Sequence, residues 1–226
     1  MAGESPAPGS RETLIASGRE ALYDLLAAVF EHFPNRLLPI IRNGELERFL
    51  APCRDVGRGF RRGLALVSSY GSAIRERPDA EVLTELSVDR TRILRGTGHA
   101  DMLPPYEALY KKRKVLLDSA LEVRRFYRRA GLLPDEAVRE SADYLCVELD
   151  FMKQLCLREQ TLREAGAEVR ETVTLEEEFL RIHLNWAADF CREVEKHAST
   201  DFYRGFGLIL NAYIRADRER LRDLVR

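Results

Sequence analysis

Val138-Arg-Glu-Ser-Ala-Asp-Tyr-Leu-Cys-Val-Glu-Leu-Asp-Phe-Met-Lys-Gln-Leu-Cys156 is the stretch whose periodicity decides the fold. On a wheel of about 100° per residue, Val138, Ala142, Leu145, Leu149, Met152 and Cys156 recur at four- and three-residue steps and form one stripe. Tyr144, Val147, Phe151 and Leu155 lie beside it and widen the apolar arc past half the circumference, as expected of a central helix. Carboxylates interrupt that arc. Glu140 falls among Tyr144, Val147 and Phe151, Glu148 falls between Met152 and Leu155, and Asp143 sits at the margin. An ionised acid on a buried face is costly unless it is paired, hydrogen-bonded or open to a groove. Either arginines from neighbouring helices pair with these acids, or the acids line a groove suited to a peptide that is both apolar and cationic.

The same spacing runs outward through almost every segment between Gly and Pro clusters, and no run alternates in the manner of a half-buried strand. The fold class is therefore all-α, a single helical-bundle domain of about eight helices over residues 10–226, after a flexible tail at 1–9. Helices are expected over Ser10–His32, Asn43–Leu50, Arg54–Arg75, Asp79–Leu94, Tyr106–Ala130, Pro134–Ala165, Thr174–His197 and Thr200–Asp223. Asn43 is read as an N-cap, Pro78 and Pro134 as first-turn residues, and Thr174 with Glu177 as a capping box. The glycines and tandem proline of Arg95–Pro105 break the helical pattern and make a loop or hinge.

Thirty-six basic against 37 acidic residues leave a net charge of −1, which provides no global field for nucleic acid. Local runs, basic at Lys111–Lys114 and Arg124–Arg129 and acidic at Asp135–Asp150 and Glu164–Glu178, are read as solvated helix faces. The start is small, polar and Pro-rich rather than a secretory signal, and no stretch is long and apolar enough for stable membrane insertion. A cytoplasmic location is expected. Cys53, Cys146, Cys156 and Cys191 are far apart, so neither a disulfide framework nor a zinc site is indicated, and they are read as mostly buried apolar residues.

Enzyme signatures are missing where they would be sought. No Glu-x-x-His pair supports a di-iron bundle, and His32, His99, His183 and His197 lack the zinc-hydrolase spacing. Gly96-Thr-Gly98 lacks the Lys-Ser/Thr end of a phosphate loop, and Ser68 and Ser69 have no nucleophile elbow. The expectation is a binding protein with no catalytic residues, no metal and no cofactor. A nucleotide-binding helical regulator using the Gly96–Pro105 loop is the rival reading.

Several motifs stand in order along the chain. Glu140-Ser-Ala-Asp143-Tyr144 followed by Glu148-Leu-Asp-Phe-Met152 is similar to the E-P-x-D-H and E-L-x-F-M elements of the TorD-like redox-enzyme maturation chaperones. Pro104-Pro-Tyr-Glu-Ala-Leu-Tyr110, Phe126-Tyr-Arg-Arg-Ala-Gly-Leu132, His183-Leu-Asn-Trp186 with Phe190, and Phe202-Tyr-Arg-Gly-Phe-Gly-Leu208 resemble the family's other segments. The resemblance spans about Arg92 to Ile214, with a weaker echo over Arg19–Phe30. Ser141 replaces the motif proline and Tyr144 the motif histidine, so a role needing imidazole there is not carried over. His183 and Trp186 are three rather than four residues apart, and His183 shares an apolar arc with Phe179, Trp186 and Phe190, which suits a satisfied core histidine.

The resemblance implies a non-catalytic chaperone that binds the twin-arginine leader of a molybdopterin-dependent reductase and assists loading of the client's cofactor before export. It also implies dimerisation by domain exchange. An assembly chaperone for a nitrate-reductase-type catalytic subunit, recognised outside a leader, is the alternative. The expected leader contacts are Glu140, Asp143, Tyr144, Tyr106, Phe151 and Met152. Pro105, Tyr110, Glu148, Leu149, His183 and Trp186 are expected to support them.

Overall fold

Ala16, Tyr23, Leu26 and Phe30 recur at helical steps and are buried, and Arg19 occupies the remaining place in their stripe. This segment is α1 (Arg11–Glu31), the first of eleven α-helices among the residues that the computed structural model describes, 11–96, 102–111, 116–133 and 140–226. The others are α2 (Pro34–Arg42), α3 (Glu45–Leu50), α4 (Arg58–Ala73), α5 (Asp79–Arg95), α6 (Glu107–Tyr110), α7 (Leu116–Ala130), α8 (Leu145–Glu164), α9 (Arg170–Ile182), α10 (Ala187–His197) and α11 (Asp201–Val225). No strand occurs among the described residues, only an isolated antiparallel bridge between Tyr106 and Tyr144. No helix among them is long and apolar enough to cross a membrane.

The all-α expectation holds, and the count exceeds eight because α2 lies outside the expected helices and two expected helices each hold two, α6 with α7 and α9 with α10. Pro34 starts α2 in a stretch with no assigned helix. Gly57, at φ 153°, separates a 3-10 turn (Ala51–Val56) from α4, and a second 3-10 turn (Leu184–Trp186) separates α9 from α10. The capping box at Thr174 is not formed. Helix α9 begins at Arg170, and the Thr174 hydroxyl donates to the Arg170 carbonyl inside it. Asn43 closes α2 rather than opening α3, although its Oδ1 still accepts from Glu45 N–H at 2.9 Å. Pro78 precedes α5 as its N-cap. The tail, the centre of the expected hinge (97–101), Pro134 and Val138 lie outside the described residues.

Helix α11 is apolar on every side through Phe202, Tyr203, Phe206, Leu208, Ile209 and Leu210, and it forms the middle of the bundle against α4, α9 and α10. Its approach to α4 depends on glycine. A Cβ on Gly63 would stand 2.5 Å from the Gly205 carbonyl oxygen, and one on Gly205 would stand 2.7 Å from that of Gly63. Helix α5 is fastened to the start of α11 by the buried Asp89, whose carboxylate accepts from Ser199 N–H, Thr200 N–H and the Thr200 hydroxyl at 2.9, 2.8 and 2.6 Å.

The core also contains an ionic knot. Arg19 donates to Asp217 Oδ1 at 2.7 Å, Glu159 Oε2 at 2.5 Å and Glu176 Oε2 at 2.6 Å, joining α1, α11, α8 and α9. Tyr23 OH donates to Asp217 at 2.8 Å, and Arg163 pairs with Glu159 at 2.7 Å. Two guanidinium groups thus face three carboxylates. Burial pushes the Glu176 carboxyl up to about 7 against the pull of Arg19, and the neighbouring Glu159 adds to the push.

Two outcomes follow from this packing. Gly205→Ala should destabilise the fold by about 1–3 kcal/mol in urea titration, because backbone faces the new methyl and cannot swing aside. Glu176 binds its proton more tightly in the folded state, so its contribution is complete below the unfolded value of 4.5 and is lost as pH rises through about 7. Glu176→Gln should therefore flatten the decline of stability between these pH values, with an effect of up to about 3 kcal/mol; an unaltered pH profile would exclude Glu176 as its source.

Candidate functional site

The motif segments 104–108 and 140–145 meet in a short seam. Glu107 N–H donates to the Asp143 carbonyl at 2.9 Å, and Leu145 N–H donates to that of Pro105 at 3.0 Å. The Asp143 carboxylate, buried, accepts from Ala108 N–H at 3.3 Å and from the Ser141 hydroxyl at 2.6 Å. These bonds correct the expected helix. Glu140 and Asp143 precede α8, whose N-cap is the extended Tyr144, because Ser and Asp side chains and the facing segment offer the backbone alternatives to helical bonding. The position of Glu140 on the wheel therefore does not describe its surroundings. Across the seam the Tyr106 and Tyr144 rings pack with centroids 5.0 Å apart, and Tyr106 OH donates to the exposed Glu140 Oε2 at 3.0 Å. Burial, then the Glu140 contact, pushes the Tyr106 hydroxyl up to about 12, so it remains a donor at neutral pH.

Behind the seam is a buried polar cluster. Glu107 Oε1 accepts from Lys111 Nζ at 2.5 Å, while Glu107 Oε2 lies 3.1 Å from His183 Nδ1. Trp186 Nε1 donates to Glu148 Oε2 at 2.9 Å, and its indole stacks on Tyr110 with centroids 5.2 Å apart. Burial, and then the neighbouring Glu107, hold the Glu148 carboxyl well above the usual carboxylate range. Burial alone would raise Glu107 too, but hydrogen bonds from His183 and Lys111 outweigh it and hold Glu107 below that range. The two neighbouring carboxyls are thus driven apart, Glu148 upward and Glu107 downward. Glu107 stands in the Pro-Pro-Tyr motif yet carried no role in the sequence reading; the signal was an acid one helical turn before Lys111.

In front of the seam a groove of about 750 Å³ opens between the end of α1, α5, the chain after α7 and the first half of α8. Tyr106, Glu140, Tyr144 and Phe151 of the expected contacts line it, together with Glu31, Phe33, Arg90, Arg95, Leu133, Val147 and Asp150, which were not among the expected contacts. Asp143 and Met152 do not line it: Asp143 is engaged in the seam and Met152 is fully buried. Pro105, Leu149, Glu148, His183 and Trp186 are buried, and Tyr110 is half-buried. The groove's carboxylates stand beside apolar walls, an arrangement suited to a ligand with cationic and apolar parts.

The chain belongs to the family described as nitrate reductase delta subunit, which matches residues 56–192. The resemblance to TorD-like chaperones agrees with the relatives. The chain is similar to the chaperone protein TorD of Vibrio parahaemolyticus, 27% identical over 147 residues covering 64% of this chain and 66% of the relative. It is also similar to the chlorate reductase assembly chaperone protein of Ideonella dechloratans, 31% identical over 103 residues covering 45% and 52%. The selenate reductase assembly chaperone protein of Thauera selenatis is 33% identical over 101 residues covering 44% and 51%. The chain thus spans between about half and two thirds of the length of these three relatives.

Trp186→Phe keeps an aromatic ring, though a smaller one, and removes the donor to the buried Glu148. Chemical denaturation should show a loss of about 1–3 kcal/mol, larger than for Phe190→Leu only if the hydrogen bond, and not ring packing, dominates.

Proposed function

We propose that this chain is a cytoplasmic maturation chaperone for a molybdopterin-dependent reductase, and that its groove binds the client's twin-arginine leader before export. The observation that carries this reading is the exposed Glu140 carboxylate beside the apolar wall of Val147 and Phe151. The names of the relatives, chaperones of reductase assembly, support the same reading. Glu31, Glu140 and Asp150 attract the paired arginines, and the wall receives the apolar residues that follow. Asp143 acts indirectly, holding the seam that presents Tyr106 and Tyr144.

Burial of each leader side chain contributes roughly 1.5–3 kcal/mol, against about 2–5 kcal/mol for ordering a flexible peptide. Binding is accordingly moderate and reversible, as hand-over to an export apparatus requires. Catalysis has no place in this scheme, and the client's catalytic subunit is the partner.

Calorimetry with a synthetic leader peptide tests it. Glu140→Lys should weaken binding of the twin-arginine peptide about tenfold or more, with little effect on a twin-glutamine peptide, and the loss should shrink at high salt. Equal binding of both peptides by the wild-type chain would remove the leader from the proposal. Co-purification with a leader-deleted reductase would then assign recognition to the mature catalytic subunit.

A further inference from the structure

The joint between α1 and α2 contains an aromatic ring in an unusual position. Phe33 is extended (φ −66°, ψ 145°) as the N-cap of α2, and at 70% exposure it is the most exposed of the large apolar side chains among the described residues. An isolated exposed apolar residue needs no explanation; this one is held in place. The Arg90 guanidinium of α5 stands over the ring with Cζ 5.1 Å from its centroid. The same guanidinium donates to the carbonyls of Phe30 at 3.1 Å and Glu31 at 2.5 Å. Helix α1 has no basic residue in its last turn, so Arg90 supplies from α5 the positive charge that the negative end of the helix favours.

Arg90 is thereby anchored before it meets the ring, and the ring has a charged platform to rest on at the groove. Leu133, 62% exposed, and Val147 line the same groove, with the carboxylates of Glu31 and Glu140 beside them. An aromatic side chain presented without freedom to reorient loses little entropy when covered. The groove holds three carboxylates, Glu31, Glu140 and Asp150, against the guanidinium groups of Arg90 and Arg95, and so favours a cationic segment before the apolar one.

We infer that Phe33 is an anchor for the apolar segment following the paired arginines of a bound leader, and that Arg90 is the positioning residue that presents it. The inference rests on the leader-binding reading above. Phe33 lies outside the residues matched by the family, 56–192.

The test uses the full chain and two synthetic peptides, a twin-arginine leader and a version whose apolar segment is replaced by serine and glutamine. Phe33→Ala should weaken the first about tenfold and abolish discrimination between the two, with helicity unchanged because the ring is mostly exposed. Arg90→Gln should weaken the first about threefold, Arg90→Lys should recover part of this, and neither should add to Phe33→Ala. If Phe33→Ala binds as the wild type does, the inference falls while the Glu140 reading stands. If the wild type binds no leader, both fall. A change of oligomeric state alone would assign the ring to a contact between copies and overturn the inference. Equal losses for Arg90→Gln in both Phe33 backgrounds would overturn the positioning role.

Discussion

The bundle depends on one guanidinium that is almost wholly withdrawn from water. Arg19 is 4% exposed, and its nitrogens reach carboxylates from α8, α9 and α11. Such a group is tolerated only while its partners remain, since removing one leaves an uncompensated buried charge worth about 3–5 kcal/mol. The knot therefore specifies which helices lie together and at what height. Arg19 meets Glu159, and further along Asp24 meets Lys153 at 3.2 Å, so α1 and α8 run antiparallel. The end of α1 consequently arrives at the start of α8, where Glu31 and Cys146 both line the groove.

A second buried polar cluster lies at that end, and it is reconciled with its surroundings differently. Arg19 gathers opposite charges, whereas Glu107 and Glu148 are two acids brought together. Burial and Glu107 push Glu148 toward the neutral form, while His183 and Lys111 favour the charged form of Glu107. Trp186, Tyr110 and His183 then act as the packing behind a seam of few hydrogen bonds. The groove's front wall is backbone held by backbone, with Tyr106 and Tyr144 as its facing.

Much of this was legible in residue order and some of it was not. The bounds of α1, α5 and α11, and the end of α8, fell within two residues of those expected, while α8 starts at Leu145 rather than Pro134. The error at Glu140–Tyr144 arose because apolar periodicity continued through a segment whose backbone is claimed by residues 105–108, a tertiary bond that a wheel cannot represent. Glu148 was correctly marked as an acid on an apolar face, and its partner proved to be an indole N–H rather than an arginine. Arg19 carried the same kind of mark, a charge in the stripe of Ala16, Tyr23, Leu26 and Phe30, but its carboxylates lie 140 to 198 residues away and no local pattern connects them. The groove residues Glu31 and Phe33 stood apart from the motifs and Asp150 held the variable place within one, where function and ordinary solvation look alike in sequence.

Trp186 is the sole tryptophan of the chain, and it sits against the seam from the inside, nearly shielded from water and bonded to the buried Glu148 carboxyl. Its emission is therefore an intrinsic optical gauge of the partition between groove and core. A ligand that merely rests on Tyr106 and Tyr144 leaves that colour alone, while one that loosens the partition lets solvent reach the indole and shifts the light to the red. The molecule thus carries, without any label, a means of separating contact from conformational change.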